Sequence, residues 1–412
     1  MYFLYDLIVH ITWFHLKIIA FFNPKLKLFV KGRKKTFDKI NDYISTGDKV
    51  LWIHAASLGE FEQGLPVIEK LRAHYIEHKI VITFFSPSGY EVKKNTAIAD
   101  LVLYLPMDTQ ANARKFIAQL KPELALFIKY EIWPNYLRTL KQQQIPTLVI
   151  SAIFKREQIY FKRYGNFMRK ALAHVTHIFV QDKHSKELLK TIGRTNVSVS
   201  GDTRFDRVSE ILQRDNSLDF MKSFKGEHPC FVAGSTWPED ETIITPYINS
   251  TEIPMKYVLA PHNIKADHVK KLVASFTKKV ILYSSIHKGE NLSDYDILIV
   301  DTIGLLTKIY SYADLAYVGG GFSTGLHNTL EPAVFGIPIV IGTNYIGFKE
   351  AEDLVHKKGI VPIDNGSEFK NLMDRLMGSE EFTKKTGKIN ASYVLQNKGA
   401  SVQIMDHIRT LL

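Results

Sequence analysis

A glycine-rich stretch over residues 319–342, GGGFSTGLHNTLEPAVFGIPIVIG, has the residue types of a phosphate-binding loop. The apolar run at 315–318 predicts a strand before it, and a helix is predicted to begin within 327–331. Backbone N–H groups of the turn and the positive end of a helix dipole can then converge on a phosphate. The spacing fits neither the Walker A loop nor the G-x-G-x-x-G fingerprint. Asn328 and Glu331 are also spaced as N-cap and N3 of a capping box, so a structural role stays open.

Glu60 is the second residue that could do chemistry. It follows the strand-like run VLWIH at 50–54 and the turn AASLG. A carboxylate at the mouth of a strand–helix loop can act as a general base. It can equally sit at a helix N-terminus for structural reasons, where the dipole favours acids and weakens them as bases. The local pattern leaves both roles open.

Composition sets the class of protein. A chain of 412 residues is too long for one ordinary core, which predicts two domains. The single Cys230 excludes an intramolecular disulfide and argues against a thiolate zinc site. Of the net charge of +11, the first 35 residues supply +6, from seven basic residues against Asp6. Because the charge is concentrated there, the sequence predicts no nucleic-acid binding by the body of the protein.

The N-terminal residues are nearly all apolar over 2–22, enough for a helix of roughly 31 Å. We predict a membrane-anchor helix over 1–22 and a basic linker over 23–47. Asp6, His10 and Lys17 would form a narrow polar stripe, so the helix could span a bilayer or lie in its interface. The basic residues that follow favour the cytoplasmic side of the membrane in either case. A buried amphipathic helix is the remaining alternative.

Alternating strand and helix patterns fill the rest of the chain. They predict an α/β domain over 48–205, a second over 206–395, and a helix over 396–412 that packs back on the first domain. Repeated alternation of this kind is typical of doubly wound parallel sheets. Composition alone does not separate a two-domain glycosyltransferase from a two-domain epimerase or a binding protein.

Short motifs recur in one order along nearly the whole chain. They are HAASLGE, FFSPSGY, YLPMD, EIWPN, ISAIF, GDTRFD, AGSTWPEDE, DTIGLL, ADLAYVGGGF, GLHNTLEPA and IGTNYIGFKEA. With the apolar segment and basic tail before them, they resemble the Kdo transferases, glycosyltransferase family 30. That family moves 3-deoxy-D-manno-octulosonic acid (Kdo) from CMP-Kdo to the lipid A precursor lipid IVA. The resemblance implies the α/β GT-B architecture, two Rossmann-like domains facing a cleft, with the first binding the acceptor and the second CMP-Kdo.

The resemblance also implies roles for the residues that match the family's motifs. Glu60 matches the catalytic base, and Arg204 stands where the family has a basic residue that stabilises the transition state. Donor binding is implied for Pro261, His262, Ile303, Gly304, Leu305, Gly319, Gly320, Gly321, Asn328 and Glu331. Contacts to the acceptor are implied for Ser57, Gly59, Ser86, Ser88 and Gly89, although plain turns would explain the loop at 86–89 equally well. The family needs no metal, and no cofactor is expected because CMP-Kdo is a substrate.

The chain departs from the family's motifs in two places. The family often reads E-T-E-x-W-P, whereas this chain has KYEIWP, so Lys129 occupies the position of a supporting catalytic acid. The usual P-R-H is Pro261–His262–Asn263 here, and a histidine does not replace a bidentate guanidinium. Both positions are predicted to belong to the site with altered chemistry.

The predicted function is inverting transfer of Kdo from CMP-Kdo to lipid IVA in lipopolysaccharide core synthesis. The predicted location is the cytoplasmic side of the inner membrane, where anionic lipids would be further partners. Two alternatives remain: another GT-B enzyme, such as a UDP-sugar transferase or 2-epimerase, and a non-enzymatic, membrane-tethered nucleotide-binding protein.

Overall fold

A computed structural model describes residues 1–323 and 325–412. The chain divides into two compact units. Unit 1 comprises Met1–Arg207 with Lys398–Leu412, and unit 2 comprises Val208–Asn397. Each unit is built around one parallel sheet, so the predicted pair of parallel α/β domains is confirmed.

Unit 1 contains a seven-stranded sheet in the order β3-β2-β1-β4-β5-β6-β7, and every strand pair is parallel. Its strands are β1 (Lys49–Ala55), β2 (His78–Phe84), β3 (Leu101–Tyr104), β4 (Leu124–Ile128), β5 (Thr147–Ala152), β6 (His177–Val180) and β7 (Val197–Val199). Its helices are α1 (Tyr2–Ile19), α2 (Pro24–Arg33), α3 (Thr36–Tyr43), α4 (Leu58–His74), α5 (Pro87–Lys93), α6 (Gln110–Leu120), α7 (Pro134–Gln142), α8 (Asn166–Leu172) and α9 (Lys183–Thr191). Helix α10 (Thr203–Ser209) contains the residue at which the units divide.

Helices cover both faces of this sheet, which is why its strands read as continuous apolar runs rather than alternating ones. In β1, Val50 and Trp52 belong to one core cluster, and Leu51 and Ile53 belong to the other. All four side chains are fully buried.

Unit 2 repeats the plan with the strand order β10-β11-β9-β8-β12-β13-β14, again all parallel. Its strands are β8 (Cys230–Thr236), β9 (Lys256–Pro261), β10 (Val280–Leu282), β11 (Ile297–Ile299), β12 (Leu315–Val318), β13 (Ile339–Ile341) and β14 (Ile360–Pro362). Its helices are α11 (Asp219–Lys225), α12 (Pro238–Ser250), α13 (Ala266–Ala274), α14 (Leu306–Ile309), α15 (Leu330–Ala333), α16 (Lys349–His356), α17 (Gly366–Gly378) and α18 (Glu380–Asn397).

The last helix, α19 (Ala400–Arg409), belongs to unit 1. Ile404, Met405 and Ile408 enter the core cluster on the α4 side of the sheet. The Asp206 carboxylate accepts hydrogen bonds from the backbone N–H groups of Gly399 (2.7 Å) and Ser401 (2.9 Å). This carboxylate therefore fixes the start of α19 against the chain that leaves unit 1.

The predicted N-terminal helix over 1–22 is observed as α1, which ends at Ile19. In the described part of the chain, no helix combines the length and apolarity that crossing a bilayer requires. The Asp6 carboxylate of the predicted polar stripe accepts hydrogen bonds from the Gln110 backbone (2.6 Å) and the Asn135 amide (3.3 Å). His10 and Lys17 of the same stripe are exposed.

Residues 23–47 also differ from the predicted basic linker. They form α2 and α3, and they bury Phe29, Val30 and Ile40. The side chain of Asn23 accepts hydrogen bonds from the N–H groups of Lys25 and Leu26, which fixes the start of α2. The segment is folded into unit 1 because its apolar residues recur at helical spacing among the lysines.

Candidate active site

Each sheet has one point at which neighbouring strands lead their loops in opposite directions. In unit 1 this switch point lies between β1 and β4, because the chain continues from β1 to β2 on the other side. In unit 2 it lies between β8 and β12. Open α/β sheets bind ligands at the carboxyl end of the strands at such a point. The loops after these four strands contain Glu60, Lys129 and the glycine-rich stretch.

Glu60 lies in the first turn of α4, directly after β1. Its carboxylate accepts a hydrogen bond from the Ser57 hydroxyl, and the side chain is half-buried. Ser57 is the N-cap residue of this helix, although its side chain makes no capping bond. The position suits both alternatives raised by the sequence, a general base and an acid at a helix start.

The loop after β4 places a second carboxylate at the same switch point. Glu131 Oε2 accepts a hydrogen bond from the Trp133 indole N–H at 3.1 Å and lies 3.3 Å from His54 Nε2. Lys129 begins this loop with a φ of 65°, in the left-handed region that costs a non-glycine residue about 1–2 kcal/mol. Such strain persists where surrounding contacts impose it, often at functional sites. Lys129 brings a positive charge to this loop, and Glu131 is its carboxylate.

His54, Glu131 and Trp133 lie in contact at this switch point. His54 is fully buried, and its Nδ1 lies 3.1 Å from the Thr83 carbonyl oxygen and 2.9 Å from the Thr83 hydroxyl. A carbonyl oxygen only accepts, so Nδ1 carries a hydrogen. His54 Nε2 lies 3.3 Å from Glu131 Oε2 and 3.1 Å from the Trp133 indole nitrogen, whose N–H can donate to either of them. The three side chains therefore form one hydrogen-bonded cluster.

The Tyr130 side chain lies within the electrostatic influence of both Glu60 and Glu131. Burial raises the pKa of the Tyr130 phenol, and the charges of Glu60 and Glu131 raise this pKa further. The Lys129 ammonium lies 5.9 Å from the centre of the Tyr130 ring. The two carboxylates and the lysine therefore surround the same side chain at the unit 1 switch point.

Arg204 is held by its neighbour Asp202. The Asp202 carboxylate accepts hydrogen bonds from Arg204 Nε and Nη2, each at 2.8 Å, and from the Arg204 backbone at 2.9 Å. Thr203 between them lies 2.7 Å from the Ser151 hydroxyl, and Ser151 has a φ of 54°. The guanidinium is thus oriented at the start of α10 with part of its charge compensated. Its role in the reaction stays a prediction.

The residues predicted to contact the acceptor lie after two neighbouring strands. Ser57 and Gly59 follow β1, whereas Ser86, Ser88 and Gly89 follow β2. Ser86 caps α5 by accepting from the Ser88 backbone at 3.3 Å. A Cβ at Gly89 would lie 2.2 Å from the Phe84 ring, so this glycine is required for packing. The structure brings the five residues to one edge, and their acceptor contacts stay a prediction.

In unit 2, the buried Asp240 connects the two loops of the switch point. Its carboxylate accepts hydrogen bonds from the Trp237 backbone (2.8 Å), the Gly320 backbone (2.9 Å) and the Tyr317 hydroxyl (2.7 Å). The Gly319 N–H donates to the Gly234 carbonyl at 2.9 Å. The expectation that the N–H groups of Gly319 and Gly320 are free for a phosphate is therefore wrong in this arrangement.

The glycines instead permit close approach of backbone to backbone. A Cβ at Gly319 would lie 2.3 Å from the Ser235 carbonyl oxygen, and one at Gly321 would lie 2.7 Å from the Gly342 backbone. The glycine-rich stretch thus owes at least part of its composition to packing at the end of β12.

The predicted capping box is wrong by one residue. Helix α15 begins at Leu330 with Thr329 as its N-cap, so Asn328 precedes the cap. The Asn328 amide donates to Glu331 Oε1 at 3.0 Å, and the Thr307 hydroxyl donates to Glu331 Oε2 at 2.8 Å. Glu331 is therefore fixed from two sides. Helix α15 has only four residues, so its dipole adds little to anion binding.

Three aromatic side chains line the unit 2 switch point. The His262 ring stacks on Trp237 at 4.6 Å between ring centres, and the centre of the His327 ring also lies 4.6 Å from that of His262. The Trp237 indole N–H donates to His327 Nε2 at 3.1 Å, which leaves the hydrogen of a neutral His327 on Nδ1. Burial lowers the pKa of His327, and His262 lowers this pKa further. Within this stack, His262 occupies the position at which the resemblance implies an arginine.

The remaining predicted donor residues lie nearby in the sheet order. Pro261 is buried at the end of β9, and the His262 N–H donates to the Thr236 carbonyl at 2.9 Å. Ile303–Leu305 follow β11, the strand next to β9. Gly304 has a φ of 96°, and the Ile303 side chain is exposed. Among the described residues, no three His, Cys, Asp or Glu side chains converge as metal ligands.

Comparison with known proteins identifies the family. Residues 29–207 match the model of the 3-deoxy-D-manno-octulosonic-acid transferase (kdotransferase) family. A 3-deoxy-D-manno-octulosonic acid transferase of Haemophilus influenzae is 27% identical over 88% of this chain and 87% of its own. One of Aquifex aeolicus is 28% identical, over 84% of this chain and 91% of its own. The family model and these relatives, which together cover most of the chain, support a Kdo transferase.

Among solved structures, UDP-GlcNAc 2-epimerase from Neisseria meningitidis bound to UDP-GlcNAc is similar, with a TM-score of 0.63. It is 15% identical, and the match covers 88% of this Kdo transferase and 100% of the epimerase chain. At that identity the likeness shows the fold alone. The fold is therefore that of two parallel-sheet α/β domains, as in GT-B glycosyltransferases.

Sequence reasoning missed five residues of the two switch points: His54, Glu131, Trp237, Asp240 and His327. All five lie in or beside the motifs that carry the family resemblance. Their residue types could have indicated a site, because a buried histidine or carboxylate needs a hydrogen-bonding partner. The partners lie in loops far away in sequence, so only the sheet order reveals them.

Proposed function

We propose that this chain is an inverting Kdo transferase that uses CMP-Kdo as donor and lipid IVA as acceptor. The observation that carries the proposal is the pair of carboxylates, Glu60 and Glu131, around Tyr130 at the unit 1 switch point. Transfer to a sugar hydroxyl needs a base for the hydroxyl proton, and a half-buried carboxylate can supply it.

In the proposed step, Glu60 takes the proton of an acceptor hydroxyl as its oxygen bonds to the anomeric carbon of Kdo. The bond from that carbon to the CMP phosphate oxygen breaks, and the electron pair leaves with CMP. A phosphate is a good leaving group, so no strong acid is required. Glu131 is already engaged by the Trp133 indole and by His54, so Glu60 is proposed as the carboxylate that accepts.

Unit 2 takes CMP-Kdo in this proposal. Glu331 is held in place by Asn328 and Thr307, so its carboxylate can accept from a ribose hydroxyl without reorganising. His327 Nδ1–H and the exposed His262 ring are available to the donor's anionic groups. The Arg204 guanidinium, oriented by Asp202, adds positive charge for the transition state. These contacts replace the free glycine amides that the sequence suggested.

Membrane association is proposed through the interface rather than through a span. Helix α1 leaves a series of apolar side chains exposed, namely Phe3, Leu4, Leu7, Ile8, Ile11, Phe14 and Ile18. A helix docked through Asp6, Val9 and Trp13, with its other apolar side chains in solvent, suits burial in the headgroup region of the cytoplasmic leaflet. Such a surface would hold the enzyme at the leaflet where an acylated acceptor resides.

The test is an assay of the purified full-length chain with CMP-Kdo and lipid IVA, read by mass spectrometry of the lipid. We expect products heavier by whole Kdo residues. A nucleotide panel in a thermal-shift assay gives a second readout, in which CMP and CTP should stabilise the chain and UDP should not. Stabilisation by UDP-GlcNAc without a Kdo-bearing product would favour an epimerase or a UDP-sugar transferase instead.

A further inference from the structure

Unit 1 contains a cavity of about 240 Å³ among its N-terminal helices, remote in sequence from the switch-point loops. It is bounded by α1, by the end of α2 and by the segment after β3. Three cationic side chains line it, those of Lys17, Arg33 and Lys34, together with Trp13 and Phe37. None of the described residues that line it is acidic. The cavity therefore combines positive charge with aromatic walls.

Arg33 gives this cavity a fixed positive charge. Its side chain is 6% exposed, and it donates to the carbonyl oxygens of Leu105 (2.8 Å), Phe29 (2.8 Å) and Phe85 (2.7 Å). These bonds use three of the five N–H donors of a guanidinium. Burial lowers the pKa of Arg33 to about 9, and the structure pairs it with no carboxylate among the described residues. A buried charge that is hydrogen-bonded but has no counter-ion favours an anion beside it.

The two lysines supply mobile charge at the edge of the same cavity. Lys17 lies in the last turn of α1, with its ammonium 5.4 Å from the centre of the Trp13 ring. Lys34 follows Arg33 directly and is exposed. Flexible ammonium groups around a fixed guanidinium suit a compact, multiply charged anion such as a phosphate.

The surroundings of the cavity indicate what carries the phosphate. Phe14, Ile18, Phe21 and Phe22 are exposed on the same end of the chain as Lys17. We propose that this cavity binds the phosphate of a single amphiphile, an anionic lipid headgroup, with the acyl chains lying along the exposed apolar residues of α1. The proposal deepens the membrane association proposed above and rests on it. It differs from a diffuse attraction, because the phosphate is bound by the cationic side chains that line the cavity and not by the other lysines of the segment.

The basic segment offers a matched control. Lys27 and Lys31 lie on α2, are exposed and carry the same charge, but they do not line the cavity. The full-length chain and two double variants, Lys17→Gln/Lys34→Gln and Lys27→Gln/Lys31→Gln, are titrated by calorimetry with dioctanoyl phosphatidate below its micelle concentration. A parallel titration uses inorganic phosphate. We expect the cavity variant to lose at least tenfold in affinity for phosphatidate and the control variant to change less than twofold.

Equal losses in the two double variants would overturn the site in favour of diffuse attraction. Inorganic phosphate that binds as tightly as phosphatidate would overturn the lipid as its source. Flotation of the wild-type chain with vesicles of phosphatidylcholine and phosphatidylglycerol tests the underlying membrane association separately. Vesicle binding without the difference between variants refutes the cavity alone, whereas no vesicle binding by wild type refutes the association on which it rests.

Discussion

In unit 1 the loops that diverge from β1 and β4 carry the carboxylates Glu60 and Glu131. In unit 2 the loops from β8 and β12 carry an indole and an imidazole, and the neighbouring loop after β9 carries a second imidazole. The backbone plan is shared. Both switch points have a non-glycine residue in the left-handed region, Lys129 with a φ of 65° and Ser235 with a φ of 56°. The same sheet edge is thus used for two kinds of chemistry, and the side chains decide which.

The use of carboxylates differs most clearly. In unit 1, Glu60 is half-buried with the Ser57 hydroxyl as its partner, so it stays accessible to a substrate proton. In unit 2, Asp240 is fully buried, and it is committed to Trp237, Tyr317 and Gly320. The first carboxylate can react, and the second builds the loop. We infer that unit 1 supplies acid–base chemistry and that unit 2 supplies a rigid surface for binding.

Glu60→Gln tests the reactive side of this comparison and should have the largest effect. The amide cannot accept the hydroxyl proton, so we expect turnover to fall by about 10³-fold, within the range for loss of a general base. CMP-Kdo affinity, measured by calorimetry, should change less than twofold. Glu62→Gln is the control, because Glu62 lies on the same helix but pairs with Lys93 (2.9 Å) and Arg207 (3.3 Å). Near-normal turnover in Glu60→Gln would remove it from the mechanism.

Glu131→Gln tests whether the carboxylate beside His54 supports Glu60. Glutamine has nearly the same shape and still accepts from the Trp133 indole, but it carries no charge. We expect turnover to fall by about 10²-fold, with a smaller change in KM than in kcat. His54→Gln, which removes the imidazole from the same cluster, should lower kcat as well. If the two variants have independent, additive effects, the pair does not work as a unit.

Much of this arrangement followed from sequence, and its limits have physical causes. The strands were predicted because sheets covered on both faces have continuous apolar runs, as in VLWIH. The order of the strands in the sheet was not predicted. Strand β1 pairs with both β2 and β4, and no short stretch of sequence indicates the pairing with β4. His54 was therefore interpreted as part of a core strand. Its contact with Glu131 could not be predicted, because that contact depends on the pairing of β1 with β4.

Errors at the glycine-rich stretch have a similar origin. Asp240 lies in the acidic run PEDE, which is typical of a solvated helix start, yet it is buried and accepts from Gly320 across the switch point. The N-cap of α15 is Thr329 rather than Asn328. The Asn328 side chain nevertheless accepts from the Leu330 N–H and donates to Glu331. For the N-terminal segment, hydropathy predicted an apolar helix. Its packing on unit 1 depends on the hydrogen bonds of Asp6 to Gln110 and Asn135, which the sequence does not show.

Asp240→Asn tests the structural side of the comparison. An amide nitrogen would face one of the donors that the carboxylate now accepts from, so we expect unit 2 to lose about 2 kcal/mol in stability. CMP-Kdo affinity should fall with it, because Trp237 and the glycine-rich stretch lose their common anchor. Asp219→Asn is the control, since Asp219 is exposed and pairs with Lys222 (3.3 Å). Unchanged melting with weaker CMP-Kdo binding would instead mean that Asp240 contacts the donor.

The pH dependence of unit 2 should give the smallest effect. Burial and the neighbouring His262 lower the pKa of His327, so the folded chain favours the neutral imidazole. Its contribution to stability is full above the unfolded pKa of about 6.5 and is lost as pH falls below that value, because the unfolded chain then binds more protons. His327→Gln keeps an acceptor for the Trp237 indole but cannot titrate. Between pH 7.5 and 5.5, we expect the wild-type Tm to fall by about 1 °C more than that of the variant, since His327 is partly exposed and screened. Equal shifts would show that the imidazole stack tolerates a protonated His327, and the contrast between a reactive unit 1 site and a rigid unit 2 surface would then fail.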